Sequence, residues 1–384
     1  MKDNYKYIEK LITAAISKDE ITGASVCAAH HGRIIYRECF GYRDKENRLP
    51  MEKDTIFRMF SMTKPITAAA AMILTDRGLI RYTDPVKYYI PAFEGMTVED
   101  EKGTRPADRD VTIRDLLSMT SGLVYPEDNP AGCRMGGIFD EIKRGNASGN
   151  QLTTMEIAEK IGRSPLMFSP GERWHYGTSA DIMGAVIEAV SGMRYGDFLR
   201  KEIFEPLGME DTGFYIPREK YHRLAQIYER KENGLVPYED FHLGLTDYKA
   251  PPAFESGGAG LVSTIDDYLK FGQMLLEGGR DILSWSAVSI MTENMLNDVQ
   301  KEYAHEWDSM KGYGYGCFMR ILEDRTAGGY LAGKGEFGWD GWTGNYFSAD
   351  PENDLVFLYF IQNCGAGSTD LMHRVKNIIY SAIL

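Results

Sequence analysis

Apolar residues near the start of the chain recur at helical spacing: Tyr5, Ile8, Leu11, Ile12 and Ile16, with Lys6, Glu9 and Lys10 between them. This predicts an amphipathic surface helix. The period then changes. Residues 23–30 and 33–40 read as two strands joined by a tight turn at His31-Gly32, which is a hairpin pattern. A short strand over 55–59 leads into a helix over 63–77 that Gly78 ends, with Ile66, Ala69, Ala70, Ile73 and Leu74 on its core side. From about 80 to 250 the chain is rich in Pro, Gly and helical spacing. Residues 111–117 read as a capped helix start, 195–203 as a helix, and 181–191 as another with Ile182, Met183, Val186, Ile187 and Val190 on one side. The stretch 125–150 reads as a long loop, of the kind that builds binding sites. The last third predicts helices over 265–277 and 284–295, strands over 312–322, 338–349 and 355–361, an acidic turn from Asp350 to Asp354, and a closing helix over 369–384.

Strands in hairpin order predict an antiparallel sheet. The expected fold class is therefore α+β, an α/β sandwich. Its sheet domain, flanked by helices, comes from residues 1–79 and 251–384, and a mostly helical domain, 80–250, is inserted between them.

Composition narrows the function classes. The 384 residues carry a formal net charge of −13, which argues against nucleic acid as a partner because a phosphate backbone needs a basic face. It gives no attraction to anionic lipid, and the apolar run over 66–74 is too short to span a bilayer. Five cysteines (Cys27, Cys39, Cys133, Cys317 and Cys364) are widely spread and read as free thiols of a reducing compartment. Together with an N-terminus whose charges interrupt any secretory apolar run, they predict a cytoplasmic protein. The histidines show no zinc spacing, so neither a catalytic metal nor a cofactor is expected.

Nucleophilic catalysis needs a hydroxyl, a base within reach and donors for an oxyanion. Ser61-Met62-Thr63-Lys64-Pro65 lies where the short strand passes into the 63–77 helix. Positions three apart share a helix face, so Lys64 can reach the Ser61 hydroxyl. Apolar packing disfavours the ammonium and makes Lys64 a base. A chain of this length holds about one Ser-x-x-Lys by chance at ordinary residue usage; as a purely structural feature, Ser61 is an N-cap and Lys64 a solvated first-turn residue. There is no G-x-S-x-G elbow, no phosphate-binding loop and no convincing dinucleotide fingerprint.

Context adds the rest. The stretch 57–65 around Ser61 and Lys64 is followed by 111–123 (through Leu116-Leu117-Ser118-Met119-Thr120-Ser121-Gly122). Next come 168–176 (through Ser169-Pro170-Gly171-Glu172 to Tyr176) and 337–344, running into Asp350-Pro351-Glu352. Over nearly its whole length the chain resembles the superfamily of serine β-lactamases, penicillin-binding proteins and related esterases, on the class C-like, esterase side. The resemblance implies that Tyr176 shares the general-base role with Lys64, and that the backbone N–H groups of Ser61 and Trp342 form the oxyanion hole. A neighbouring ammonium would favour the Tyr176 phenolate. The resemblance also places Thr178 where β-lactamases carry a substrate-contacting Asn. Trp339-Asp340-Gly341 falls where they carry a Lys or His, then Thr and Gly, on an edge strand. Thr178, Trp339, Asp340 and Gly341 are thus the expected substrate contacts, with Gly341 letting a substrate lie close to the strand. In the family, a stretch like the Gly-rich 255–260 lines the floor of the site. The missing cation, and Asp340 if it faces the pocket, point to neutral substrates. The implied activity is that of a serine hydrolase forming an acyl-enzyme, foremost a carboxylesterase on small neutral esters or amides. A β-lactamase or D,D-peptidase, an acyltransferase and a non-catalytic binding homologue are the alternatives.

Overall fold

The computed structural model describes residues 4–101 and 103–383. Met1, with which the sheet domain was expected to begin, and Leu384, the last residue of the expected closing helix, lie outside them. The strands of the main sheet, in chain order, are β1 (Gly23–His30), β2 (Arg33–Asp44), β3 (Leu49–Pro50), β4 (Tyr313–Tyr315), β5 (Arg320–Leu322), β6 (Phe337–Asp340), β7 (Tyr346–Asp350) and β8 (Leu355–Phe360). They lie in the order β4-β5-β6-β7-β8-β1-β2-β3, and every neighbouring pair is antiparallel. The two ends of the chain meet at its centre, where Ser25 stands opposite Phe360 and His30 opposite Leu355.

The helices that matter for the site are α1 (Lys6–Ser17), α2 (Thr63–Asp76), α3 (Pro130–Ser148), α4 (Ser179–Ser191), α5 (Ile265–Leu276) and α6 (Asp370–Ala382). Successive side chains of a strand point to opposite faces, and β7 shows what covers each. The Tyr346 hydroxyl accepts from Lys376 of α6 at 2.9 Å. The Phe347 ring packs on Gly272 of α5, where a Cβ would come within 2.7 Å of it. With α1 beside α6, both faces are covered, so β8 is buried along its full length. Helix α2 is buried from Thr63 to Leu74. Apart from Lys64, Thr63 and Thr67 its buried residues are apolar on every side, as a central helix requires, and its alanines let it pack against α4 and the helix Trp285–Met291. The antiparallel sheet with flanking helices agrees with the expected fold class.

The differences are instructive. The expected loop over 125–150 is largely α3, which Asn129 caps by accepting from the Gly132 N–H at 2.8 Å and Gly149 ends at φ 80°. Gly132, Gly136, Gly137 and Gly145 lower its intrinsic propensity; burial of Ala131, Met135, Ile138, Phe139 and Ile142 along one face overrides that. The expected strands over 312–322 and 338–349 are each a hairpin, β4–β5 and β6–β7, because the chain reverses within them, the first at Phe318 with φ 54°. The 284–295 helix is shorter, Trp285–Met291, and the 55–59 strand is only Phe57–Arg58, paired with Val262–Ser263. The segment carrying Trp339 is not at the sheet edge. Strand β5 pairs only with its Phe337 and Gly338, so Trp339 and Asp340 run on past that partner.

Between sheet and α6, the side chains of Lys376 and Glu336 are hydrogen-bonded to each other and 1% exposed. Removing one partner leaves the other charge buried and unpaired. Lys376→Met is expected to destabilise the fold by about 3–5 kcal/mol, read as a lower urea midpoint; an unchanged midpoint would show that the pair contributes nothing.

Candidate active site

Ser61 occupies a single 3₁₀ turn, Phe60–Met62, that runs straight into α2. The turn is anchored by Phe57–Arg58 and by the Met59 N–H donating to Leu261 O at 2.8 Å. Phe60 is left-handed, with φ 47°, a conformation that costs a non-glycine residue about 1–3 kcal/mol. Its ring is held 5.1 Å from that of Trp342 and 6.0 Å from that of His242. Pro65, in the first turn of α2, needs no N–H there.

Lys64 is fully buried. Its Nζ lies 3.2 Å from Ser61 Oγ and 3.1 Å from Tyr125 Oη, and donates to Gly258 O at 2.8 Å. Among the described residues no carboxylate touches it. Burial therefore lowers its pKa to about 7, against the opposing pull of the more distant Asp181 and Asp340. Asp181, near the start of α4, is buried as well; it accepts from Ser256 Oγ and, at 3.0 Å, from the Gly258 N–H. The Gly-rich segment expected to line the floor of the site thus lies against Lys64, its Gly258 carbonyl facing the amine and its amide facing Asp181.

Tyr176 is hydrogen-bonded to Ser61, and its Oη accepts from Trp339 Nε1 at 3.0 Å. The Lys64 ammonium position lies over its ring, 4.6 Å from the centroid. The expected phenolate is not what this environment favours. Burial, reinforced by Asp340 and Asp181, raises the Tyr176 pKa and outweighs the hydrogen bonds from Ser61 and Trp339, so the group rests as a neutral phenol.

A cavity of about 520 Å³ opens above Ser61. Its walls include Tyr125, Tyr176, Trp307, Trp339 and Trp342. One stripe of α3 (Gly136, Phe139, Asp140 and Lys143) lines it too, at the spacing that puts residues on one helix face.

The comparisons with known proteins follow this geometry. The Beta-lactamase family model matches residues 8–374. The chain belongs to the Beta-lactamase family. Among relatives, Protein Rv1367c of Mycobacterium tuberculosis is 32% identical, over 91% of this chain and 88% of that one. Esterase EstB of Burkholderia gladioli is 30% identical, over 97% and 94%. Among solved structures, EstCE1, described as a hydrolase with promiscuous acyltransferase activity, superposes with a TM-score of 0.83 at 26% identity, covering 98% of each chain.

Against the residues that the family resemblance singled out, the structure brings Ser61, Lys64, Tyr176, Trp339, Asp340 and Trp342 together. Two expected substrate contacts are not among the cavity walls. Thr178 is fully buried at the start of α4. Gly341 lies between Asp340 and Trp342, where a Cβ would come within 2.5 Å of the Met59 carbonyl oxygen. Asp340 does face the cavity, but its carboxylate accepts from Arg320 Nη1 at 3.0 Å. Burial, the largest influence, works against the Arg320 charge, and Asp340 together with Tyr346, Tyr313 and Tyr330 outweighs it. The expected repulsion of anions is thus met by a buried cation that sequence reading did not find. Tyr125, Asp181 and Arg320 all went unseen. Only Arg320 left a signal, a lone charge inside the apolar stretch 317–322.

With lysine side chains isotopically labelled, NMR should find one amine titrating near pH 7, and Asp181→Asn should move that midpoint lower by removing an opposing carboxylate. Every lysine titrating near the ordinary value of about 10.4 would show that the amine is solvated.

Proposed function

We propose that the protein is a carboxylesterase that acts on small neutral esters or amides through an acyl-enzyme on Ser61. The observation that carries this is the Lys64 amine, 3.2 Å from Ser61 Oγ and lowered to about 7. Membership of the family and the likeness to an esterase across 97% of the chain support it. In this reading the site lies between a sheet domain, 1–79 with 251–384, and a helical domain, 80–250.

The neutral amine accepts the Ser61 proton as Oγ adds to the carbonyl carbon. The oxyanion lies at the backbone N–H groups of Ser61 and Trp342, where fixed donors stabilise charge that develops only in the transition state. Collapse expels the alcohol oxygen, which takes the proton from Lys64 by way of the Tyr176 hydroxyl. Water then adds to the acyl carbon and gives a proton to Lys64. The acid departs and that proton returns to Ser61.

Neutrality of the substrate rests on the position of Trp339, where the family has a cation; Asp340 is paired with Arg320 and adds nothing to it. The missing cation weighs against the β-lactamase and D,D-peptidase readings. Acyl transfer remains the second reading. A 520 Å³ cavity falls in the range that encloses a drug-sized molecule, which leaves room for an acceptor alcohol beside a small acyl group, and EstCE1 is described as having such activity. No helix among the described residues is long and apolar enough to cross a membrane. The exposed free Cys133 fits the cytoplasm, where thiols stay reduced.

Incubation with a fluorophosphonate should add one adduct mass, located on Ser61. Ser61→Ala should lose the adduct and lower kcat on short-chain 4-nitrophenyl esters by at least about 10³-fold. Because the neutral amine is the active form, kcat/KM should fall about tenfold per pH unit below about 7 and level off above it. Absence of any adduct would favour a non-catalytic binding homologue; faster turnover of an anionic cephalosporin than of these esters would overturn the neutral-ester reading.

A further inference from the structure

Two face-to-face ring pairs share the cavity with Ser61. Tyr176 stacks on Trp339 with centroids 5.5 Å apart and planes at 28°. His242 stacks on Trp342 at 3.9 Å and 11°. Trp339 and Trp342 are separated only by Asp340 and Gly341, so one short segment carries both pairs. Phe60 and Tyr238 set their rings at an angle to Trp342, at 5.1 and 5.4 Å, and Trp307 approaches Tyr176 at 5.1 Å. Two of the charged side chains of the cavity wall are matched, Asp340 by Arg320 and Lys143 by Asp240 at 3.7 Å, while Asp140, at the exposed rim, has no ion pair among the described residues. Burial, then Lys143, lowers His242 to about 4, so its ring is uncharged at neutral pH. Neither of its ring nitrogens makes a hydrogen bond among those of the described residues.

We propose that the site is selective for uncharged esters carrying a planar aromatic ring, and that the His242–Trp342 pair is the surface that recognises the ring. This rests on the esterase reading and narrows its substrate class. Aromatic rings gain from offset-stacked or edge contact beyond their burial, a gain that a saturated ring of the same size does not share. His242 covers one face of Trp342, and both rings line the cavity, so the stack offers a substrate ring the outer face of the imidazole and the ring edges, beside the segment whose backbone N–H is assigned to the oxyanion.

The test uses ester pairs matched in size, each kcat/KM ratio being divided by the ratio of the two esters' hydroxide-catalysed rate constants. Ethyl phenylacetate is compared with ethyl cyclohexylacetate, and benzyl acetate with cyclohexylmethyl acetate. The kcat/KM ratio should favour the aromatic member of at least one pair by about twofold to tenfold. His242→Leu should bring that ratio towards one, and His242→Phe, which keeps a flat ring, should restore it. Fluorophosphonate labelling of Ser61 in each variant reports that the site is intact. Ratios near one in both pairs for the wild type, or a ratio that His242→Leu leaves unchanged, would overturn the proposal. So would a wild type that labels at Ser61 yet cleaves none of the four esters. A wild type that neither labels nor cleaves 4-nitrophenyl acetate instead overturns the esterase reading on which the proposal rests.

Discussion

The site depends on one buried amine. Lys64 is surrounded by neutral oxygens (a serine hydroxyl, a tyrosine hydroxyl and a backbone carbonyl), with no carboxylate of the described residues in contact. Water would stabilise the ammonium and an ion pair would hold it charged; the fold supplies neither. A neutral amine has two N–H donors and one lone pair. Gly258 O can only accept, so it takes one donor, and the hydroxyls of Tyr125 and Ser61 can share the remaining donor and the lone pair. That leaves the lone pair free to face the nucleophile.

Keeping the amine dry is the work of the surrounding helices. Helix α2 is buried from Thr63 to Leu74, apolar on every side apart from Lys64 itself and two threonines whose hydroxyls are hydrogen-bonded. Asp181 sits one residue away from direct contact, with Gly258 between it and the amine. It opposes desolvation without forming a salt bridge, and so sets the amine near neutrality instead of far below it. Arg320 plays the matching part on the other side, tying up Asp340 so that it does not strengthen the ammonium further.

The alternation of helix and hairpin was readable because α1, α5 and α6 each follow one hydrophobic period, and because the His31-Gly32 turn marks the first hairpin. Harder to read were two reversals inside strand-like runs. β4–β5 carries the apolar Cys317-Phe318-Met319 through its turn, and in β6–β7 the strand pattern on both sides masked the turn signal of Gly341-Trp342-Thr343-Gly344-Asn345. The four glycines of α3 hid a helix whose Asn129, Pro130 and Gly149 were ordinary start and stop signals. At the site, Ser61, Lys64 and Tyr176 stood out because their spacing or family position carries meaning. Tyr125 is one of 23 tyrosines and Asp181 reads as a routine acidic residue near a helix start, so only the folded arrangement shows that both bear on Lys64. Thr178 and Gly341 fell at family positions for substrate contact, yet neither is among the cavity walls.

The close contact between Gly341 and the Met59 carbonyl has a wider meaning. Behind the cavity wall on that side, main chain lies against main chain. No exchange of side chains elsewhere can open such a contact. Variation in what the cavity accepts is therefore confined to its movable walls: the exposed stripe of α3 with Asp140 and Lys143, the loop bearing His242 and Leu243, and Trp307 at the opening. Redesign of this chain for other substrates should begin at those walls, with the catalytic floor left as a fixed platform.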